Sequence, residues 1–247
     1  MDLVCMDQWT GEEFRAMLQK SKIAILPIGA IEFHGPHLPT GTDNFLAVKI
    51  AEEVAKRTGG VILPLLPYGQ VWSLEHFPGS LNISNETLAN LIFEIGTSLH
   101  RQGAVIFAII NGHLGNMTAI QAAARRLSPI ESFITYAFSY PGLAEAAARV
   151  CVSRPLPGGY FHADEIETSL LLYVQPELVH MDRAIHDEPQ LPPDFAHRPV
   201  RWDEITKTGV LGDATVATRE KGEAIFHALV NRIVEVLEYA RKQYLAE

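Results

Sequence analysis

Three short segments apolar at nearly every position, Ile23–Ile28, Val61–Leu66 and Ala104–Ile110, constrain this chain more than any other feature. A strand that buries only one face alternates apolar and polar residues. A strand apolar on both faces belongs to a sheet covered on each side. A fourth β-type segment spans Glu131–Ser139, and helical patterns separate the four. Thr42 or Asp43 caps a helix through Leu46, Val48, Ile50 and Val54 that stops at Gly59-Gly60. Ser84 caps a second to about Gln102, and a third runs from about Asn116 to Leu127. Alternating strand and helix give right-handed βαβ units. The expected fold is therefore α/β: a mostly parallel sheet flanked by helices. Another helix is expected from about Ala163 through Val174, and Thr218 opens a long C-terminal one to about Leu245. The stretch Glu188–Pro199 carries four prolines and reads as an irregular surface excursion.

A chain of 247 residues, 47% of them hydrophobic, can bury one large core, and no linker or repeat divides it. One domain over 1–247 is expected. The formal charge of −9, with no dense run of Lys or Arg, argues against nucleic acid or an anionic membrane as partner. Met1-Asp2-Leu3-Val4-Cys5 lacks a signal-peptide pattern, and no apolar run reaches the roughly 18 residues of a membrane span. Cys5 and Cys151 form no close pair, so a reducing cytoplasm is the expected compartment.

Ligand sites in parallel α/β sheets lie beyond the carboxyl ends of the strands. The first strand leads into Glu32-Phe33-His34-Gly35-Pro36-His37-Leu38-Pro39-Thr40-Gly41-Thr42-Asp43, and the third into Asn111-Gly112-His113-Leu114-Gly115-Asn116. Glu32 and His34, two apart on extended chain, share a face. Farther on stands His162-Ala163-Asp164-Glu165-Ile166-Glu167-Thr168-Ser169. Glu32, His34, Asp43, His113 and Glu165 together offer three carboxylates and two imidazoles. A single catalytic zinc needs three protein ligands. Five suit two divalent ions bridged by a carboxylate, for which Asp43 is the candidate, and the mixed N/O set accepts zinc, manganese or iron.

If a helix starts at Ala163, His162 lies at its mouth and Glu165 falls on roughly the same face, so His162 reads as a general acid–base. Glu167 is then placed to orient His162 or a ligand. Taken singly, each residue also has a plainer reading: Glu32 as a loop carboxylate, His113 as a core histidine, the acids of 164–167 as a solvated first helical turn. Gly112, beside His113, permits close backbone approach and exposed N–H groups that can hold a carbonyl or oxyanion. The loop after the second strand, Tyr68–Ser80, offers Trp72, Glu75, His76 and Ser80 as candidates to shape a substrate pocket, with an ordinary surface loop nearly as good a reading. Phe161 and the proline-rich stretch are further candidates for that pocket.

These motifs together resemble the creatininase (creatinine amidohydrolase) family: Gly29–Pro39 with Gly41-Thr42-Asp43, Glu75-His76-Phe77-Pro78-Gly79-Ser80, Asn111-Gly112-His113 with Gly115-Asn116, and His162-Ala163 with Glu165, Glu167, Thr168 and Ser169. Gly212-Asp213 and Ala217–Gly222 add to the likeness, which covers the chain from about residue 20. The resemblance implies a three-layer α/β/α fold, two divalent ions per chain (zinc first, manganese or iron as alternatives) and a homohexamer. It also implies hydrolysis of an amide, cyclic amide or formamide C–N bond in a small molecule by a metal-bridging hydroxide. Glu32, His34, Asp43 and His113 match the family's ligands, and His162 its catalytic histidine. One departure stands out. Creatinine hydrolases carry a glutamate ligand two residues after the loop histidine, where this chain has Gly115; Glu165 is expected to supply that ligand instead. The swap leaves creatinine itself open as the substrate. The rivals are hydrolysis of a C–C bond in a cyclic diketone such as an oxidised inositol, and a metal-stabilised scaffold without activity.

Overall fold

A computed structural model describes residues 5–153, 156, 159–195 and 197–245. Residues 1–4, read above for the missing signal-peptide pattern, lie outside that range. The elements run α1 (Gly11–Ser21), β1 (Ile23–Ile28), α2 (Thr42–Thr58), β2 (Val61–Ile62), α3 (Asn85–Arg101), β3 (Ile106–Asn111), α4 (Met117–Leu127), β4 (Ile134–Ser139), α5 (Leu143–Val150), α6 (Glu165–Val174), β5 (His186–Asp187), β6 (Gly212–Asp213) and α7 (Arg219–Tyr244). Strands β1 to β4 form one sheet in the order β2-β1-β3-β4, every pairing parallel. The expected fold class is observed.

All six residues of β1 and all six of β3 are buried, because each strand feeds two cores. Ile23 and Ile25 pack with Leu46, Ile50 and Val54 of α2 and with Ile225, Leu229 and Ile233 of α7 on one face. Ala24, Leu26 and Ile28 point the other way, into Leu18 of α1, Ile92 of α3 and Ile120 of α4. The period-two alternation of a strand thus divides one apolar run between two helical layers.

Several elements differ from the sequence expectation, and α5, β5 and β6 stand where it reads none. β2 is only two residues long: Pro64 has no N–H for the ladder, and beyond it the chain touches β1 through an isolated bridge between Ile28 and Leu66. β4 starts at Ile134 because Ser132 takes a left-handed φ of 55° that interrupts extension. Helix α1 was not foreseen, although Thr10 and Glu13 form a reciprocal capping box at its start. None of the helices among the described residues is long and apolar enough to cross a membrane.

The register aligns the strand ends. Ile28 of β1 pairs with Asn111 of β3, and Asn111 with Ser139 of β4. The three segments that follow leave the sheet at one level, and they carry Glu32 and His34, His113, and Tyr140.

Candidate metal centre

Six titratable side chains converge at this edge, all buried: Glu32, His34, Asp43, His113, His162 and Glu167. Glu32 and His34 come from the loop after β1, Asp43 from the first turn of α2, and His113 from the loop after β3. His162 precedes α6 and Glu167 lies in its first turn. Their nitrogen and oxygen atoms fall into three overlapping groups, Glu32–Asp43–His113, His34–Asp43–Glu167 and Glu32–His34–His162, each within 4.8 Å.

The backbone fixes the orientation of each imidazole. His34 Nδ1 lies 3.1 Å from the Glu32 carbonyl, His113 Nε2 2.7 Å from the Gln70 carbonyl, and His162 Nε2 2.8 Å from the Phe33 carbonyl. A carbonyl only accepts, so each of these nitrogens carries a proton, and in the neutral, metal-binding form of the ring the opposite one keeps a lone pair. Those lone pairs face carboxylates. His34 Nε2 is 3.3 Å from Asp43 Oδ1 and 3.8 Å from Glu167 Oε2. His113 Nδ1 is 3.1 Å from both Glu32 Oε1 and Asp43 Oδ2. His162 Nδ1 is 3.6 Å from Glu32 Oε1 and 3.7 Å from Glu167 Oε2. Lone pair facing carboxylate forms no hydrogen bond. Glu32 Oε2, His34 Nε2 and Asp43 Oδ2 are indeed buried without a partner. Such groups are costly to bury unless something positive lies between them. A divalent cation is that positive group, and imidazoles locked by carbonyls are the usual support of metal ligands.

With protons in place of cations, the cluster behaves accordingly. Burial pushes His34 down, but Asp43, Glu167 and Glu32 outweigh it and carry the group up to about 10. His113 is raised well above its usual value against burial, by Glu32 and Asp43. Burial alone would raise Asp43, yet His34 and His113 hold it well below the carboxylate range. Burial raises Glu167 to about 8 despite His34. His162 moves the other way: burial and then the neighbouring His34 push it down to about 4.

The structure brings together six of the seven predicted ligand and catalytic residues: Glu32, His34, Asp43, His113, His162 and Glu167. Glu167 faces His34, and Glu165 does not join them. The helix does not begin at Ala163, which takes a left-handed φ of 48°; Asp164 is the N-cap, accepting from the N–H groups of Ile166 and Glu167. Glu165 is therefore the first helical residue and is turned away from His162. Its carboxylate accepts from the Val152 and Ser153 amides and from Lys221 Nζ at 2.6 Å. Glu167 stands at the third helical position and reaches back, its Oε2 accepting from the Ala163 amide at 2.6 Å. Asp164-x-x-Glu167 is a capping-box spacing, and that signal was readable.

The pocket residues need more correction. A cavity of about 360 Å³ opens above the cluster, walled by Leu74, Gly112, Leu114, Tyr140, Tyr160, Phe161, Phe195, Arg198, Val200 and Trp202 among others. Of the expected set, Gly112 and Phe161 lie on that wall, and the proline-rich stretch contributes Phe195, Arg198 and Pro199. The Gly112 N–H donates to the Ile28 carbonyl and is not free for an oxyanion. What position 112 requires is smallness, since a Cβ there would overlap the Asp43 carbonyl. Trp72, Glu75 and His76 stand behind the wall and contact Arg201 and Asp203. Ser80 Oγ accepts from the Phe33 amide at 3.0 Å and pins the ligand loop. At Gly115, a Cβ would overlap the Gln70 carbonyl and His113 Nε2, so this loop has no room for a glutamate. Tyr140 follows β4 as His113 follows β3, and the strand-end rule applied there finds it. Trp202 lies in a stretch without periodicity, and only a lone large aromatic marked it.

Known proteins resemble this chain in sequence and in fold. The creatininase family model, described as creatinine amidohydrolase, matches residues 7–237. The chain is 30% identical to creatinine amidohydrolase of Pseudomonas putida, covering 95% of this chain and 96% of that one. It is 32% identical to the mycofactocin precursor peptide peptidase of Mycolicibacterium smegmatis (85% and 81% covered) and 27% identical to 3-dehydro-scyllo-inosose hydrolase of Thermotoga maritima (96% and 83%). Among solved structures, a creatininase mutant of Zn–Zn type superposes with a TM-score of 0.85 at 28% identity over 99% of both chains. A manganese creatininase gives 0.82 at 28% over 98% of both. Family match, fold and sequence identity over nearly the full length agree that the chain belongs to the creatininase family of hydrolases.

Proposed function

We propose that this chain is a metal-dependent hydrolase that cleaves the C–N bond of a small amide, cyclic amide or formamide. One observation carries the reading: three imidazoles, each locked through one nitrogen to a main-chain carbonyl, turn their lone pairs on three buried carboxylates. Glu32, Asp43 and His113 would hold one divalent ion, and His34, Asp43 and Glu167 a second, with Asp43 shared. Glu167 thus takes the place expected for Glu165. Zinc is the first choice, and manganese and iron fit the same donors. Divalent ions in such a site supply a Lewis acid and a hydroxide near neutral pH.

The chain's own residues do the rest. His162 is fixed by its Nε2–H on Phe33 so that Nδ1 faces the cluster, and burial keeps it neutral at pH 7 as a proton acceptor. Once protonated there, it can pass the proton to the leaving nitrogen. The main chain at Gly112 lies directly against the backbone of Asp43, the residue that both ligand groups share.

The second reading, hydrolysis of a C–C bond in a cyclic diketone, is favoured by the likeness to the inosose hydrolase. A screen of amides, lactams and formamides beside cyclic diketones, with metal-loaded protein, decides between them. Turnover confined to C–N substrates supports the first reading; turnover confined to diketones overturns it. Assembly as a homo-oligomer, with a hexamer favoured, and a cytoplasmic setting without nucleic-acid or membrane partners complete the proposal. The sequence likeness and the acidic composition support it.

A further inference from the structure

Trp202 sits at the cavity mouth with its ring edge-on to His162, centroids 5.1 Å apart. It belongs to a one-turn helix, Trp202–Glu204, and the preceding Arg198, Pro199 and Val200 line the same cavity. Both of its neighbours are gripped from behind by the loop after β2. Arg201 lies over the Trp72 ring at 4.6 Å and meets Glu75 Oε1 at 2.5 Å; Asp203 Oδ2 meets His76 Nδ1 at 3.0 Å. With residues 201 and 203 held outward, residue 202 is turned in. This accounts for Trp72, Glu75 and His76, which the cavity wall does not use.

The rest of the mouth matches. Tyr160 and Phe195 meet edge-to-face at 5.2 Å, and Phe161 and Tyr140 at 5.9 Å. Among the described residues, Arg198 is the one Lys or Arg on the wall, and Asp194 and Glu204 already hold its guanidinium at 2.8 and 3.0 Å. Among the described residues, the wall away from the ligand cluster therefore offers aromatic faces and no free Lys or Arg for a charged far end of a substrate. Planar groups gain from such faces beyond their buried area.

We propose that Trp202 is a specificity-determining residue, selecting amides whose non-reacting end is a flat, uncharged ring, and that Glu75 is a positioning residue acting through Arg201. The inference rests on the amide-hydrolase reading of the same site, but its test reads binding.

Affinities of benzamide, acetamide and 4-carbamoylbenzoate for the metal-loaded protein, measured by saturation-transfer NMR, provide that test. Wild type is expected to prefer benzamide to acetamide by about fivefold or more, the scale of one aromatic contact, and to discriminate against 4-carbamoylbenzoate, whose far end is charged. Trp202→Ala should erase the benzamide preference, Trp202→Phe should restore part of it, and Glu75→Gln should reduce it while the melting temperature stays within a few degrees. A benzamide preference unchanged in Trp202→Ala, or absent from wild type, would overturn the proposal, as would 4-carbamoylbenzoate, charged at its far end, bound as well as benzamide. If no amide is turned over but the preference still depends on Trp202, the hydrolase reading fails and the selection by Trp202 stands.

Discussion

Lys221 Nζ lies 2.6 Å from Glu165 Oε1 and holds that carboxylate outside the cluster that Glu167, two residues later, enters. The pair ties the start of α7 to the start of α6. Through Ser153 and Val152, it also ties in the chain that leaves α5. Burial would raise Glu165, but Lys221 and the Ser153 and Val152 donors outweigh it and leave the group below the usual carboxylate range. A carboxyl depressed in the fold adds stability above its unfolded value, and that stability is lost as pH falls through the folded one.

Glu165→Gln and Glu167→Gln should therefore separate. The first should retain its full metal content, lose about 1–3 kcal/mol of stability at neutral pH and show a flatter acid limb. The second should lose about half its metal with little change in that limb. Elemental analysis and urea unfolding across pH check both. Loss of metal in Glu165→Gln would restore the ligand role that the sequence suggested.

The aligned strand ends explain why Glu32, His34 and His113 were legible in the sequence. Two-residue spacing on extended chain and the position just after a buried strand are local properties, and both survive folding. The choice between Glu165 and Glu167 was not legible by helical spacing alone. A left-handed residue at Ala163 restarts the helix one cap later, and that shift reverses which acid faces inward. Trp202 was hidden for another reason. Its orientation comes from grips on Arg201 and Asp203 by residues more than a hundred positions earlier, which no local pattern encodes.

Metal uptake should release protons. At pH 7 the metal-free cluster holds them on His34 (about 10), on His113 and on Glu167 (about 8), and a cation must displace them. Affinity should fall as pH falls. In the metal-free protein, the stability that His34 gains is complete below its ordinary 6.5 and lost as pH rises through about 10. Titration calorimetry in buffers of different ionisation enthalpy measures the release; an uptake heat independent of buffer would contradict it.

His162→Ala should lower turnover by about two decades or more while both metals stay bound, the usual weight of a general acid–base. Paired kinetics and metal analysis of the variant test this. Activity within a few-fold of wild type would remove His162 from the reaction.

Gly112→Ala should push the Asp43 segment away and cost about 1–3 kcal/mol, the range for an overpacked interior. Because Asp43 belongs to both ligand groups, metal affinity should fall with stability. Thermal melts with and without added zinc report the two effects. A variant that melts like wild type and binds metal equally well would show that this contact is slack.

The shared position of Asp43, with Oδ1 toward His34 and Oδ2 toward His113, is the centre of the account. Its most direct test is elemental analysis of purified protein, with protomer concentration determined on the same sample. The expected result is close to two divalent ions per chain, falling toward none in Asp43→Ala. A protein that holds no metal and takes none up on titration would contradict it.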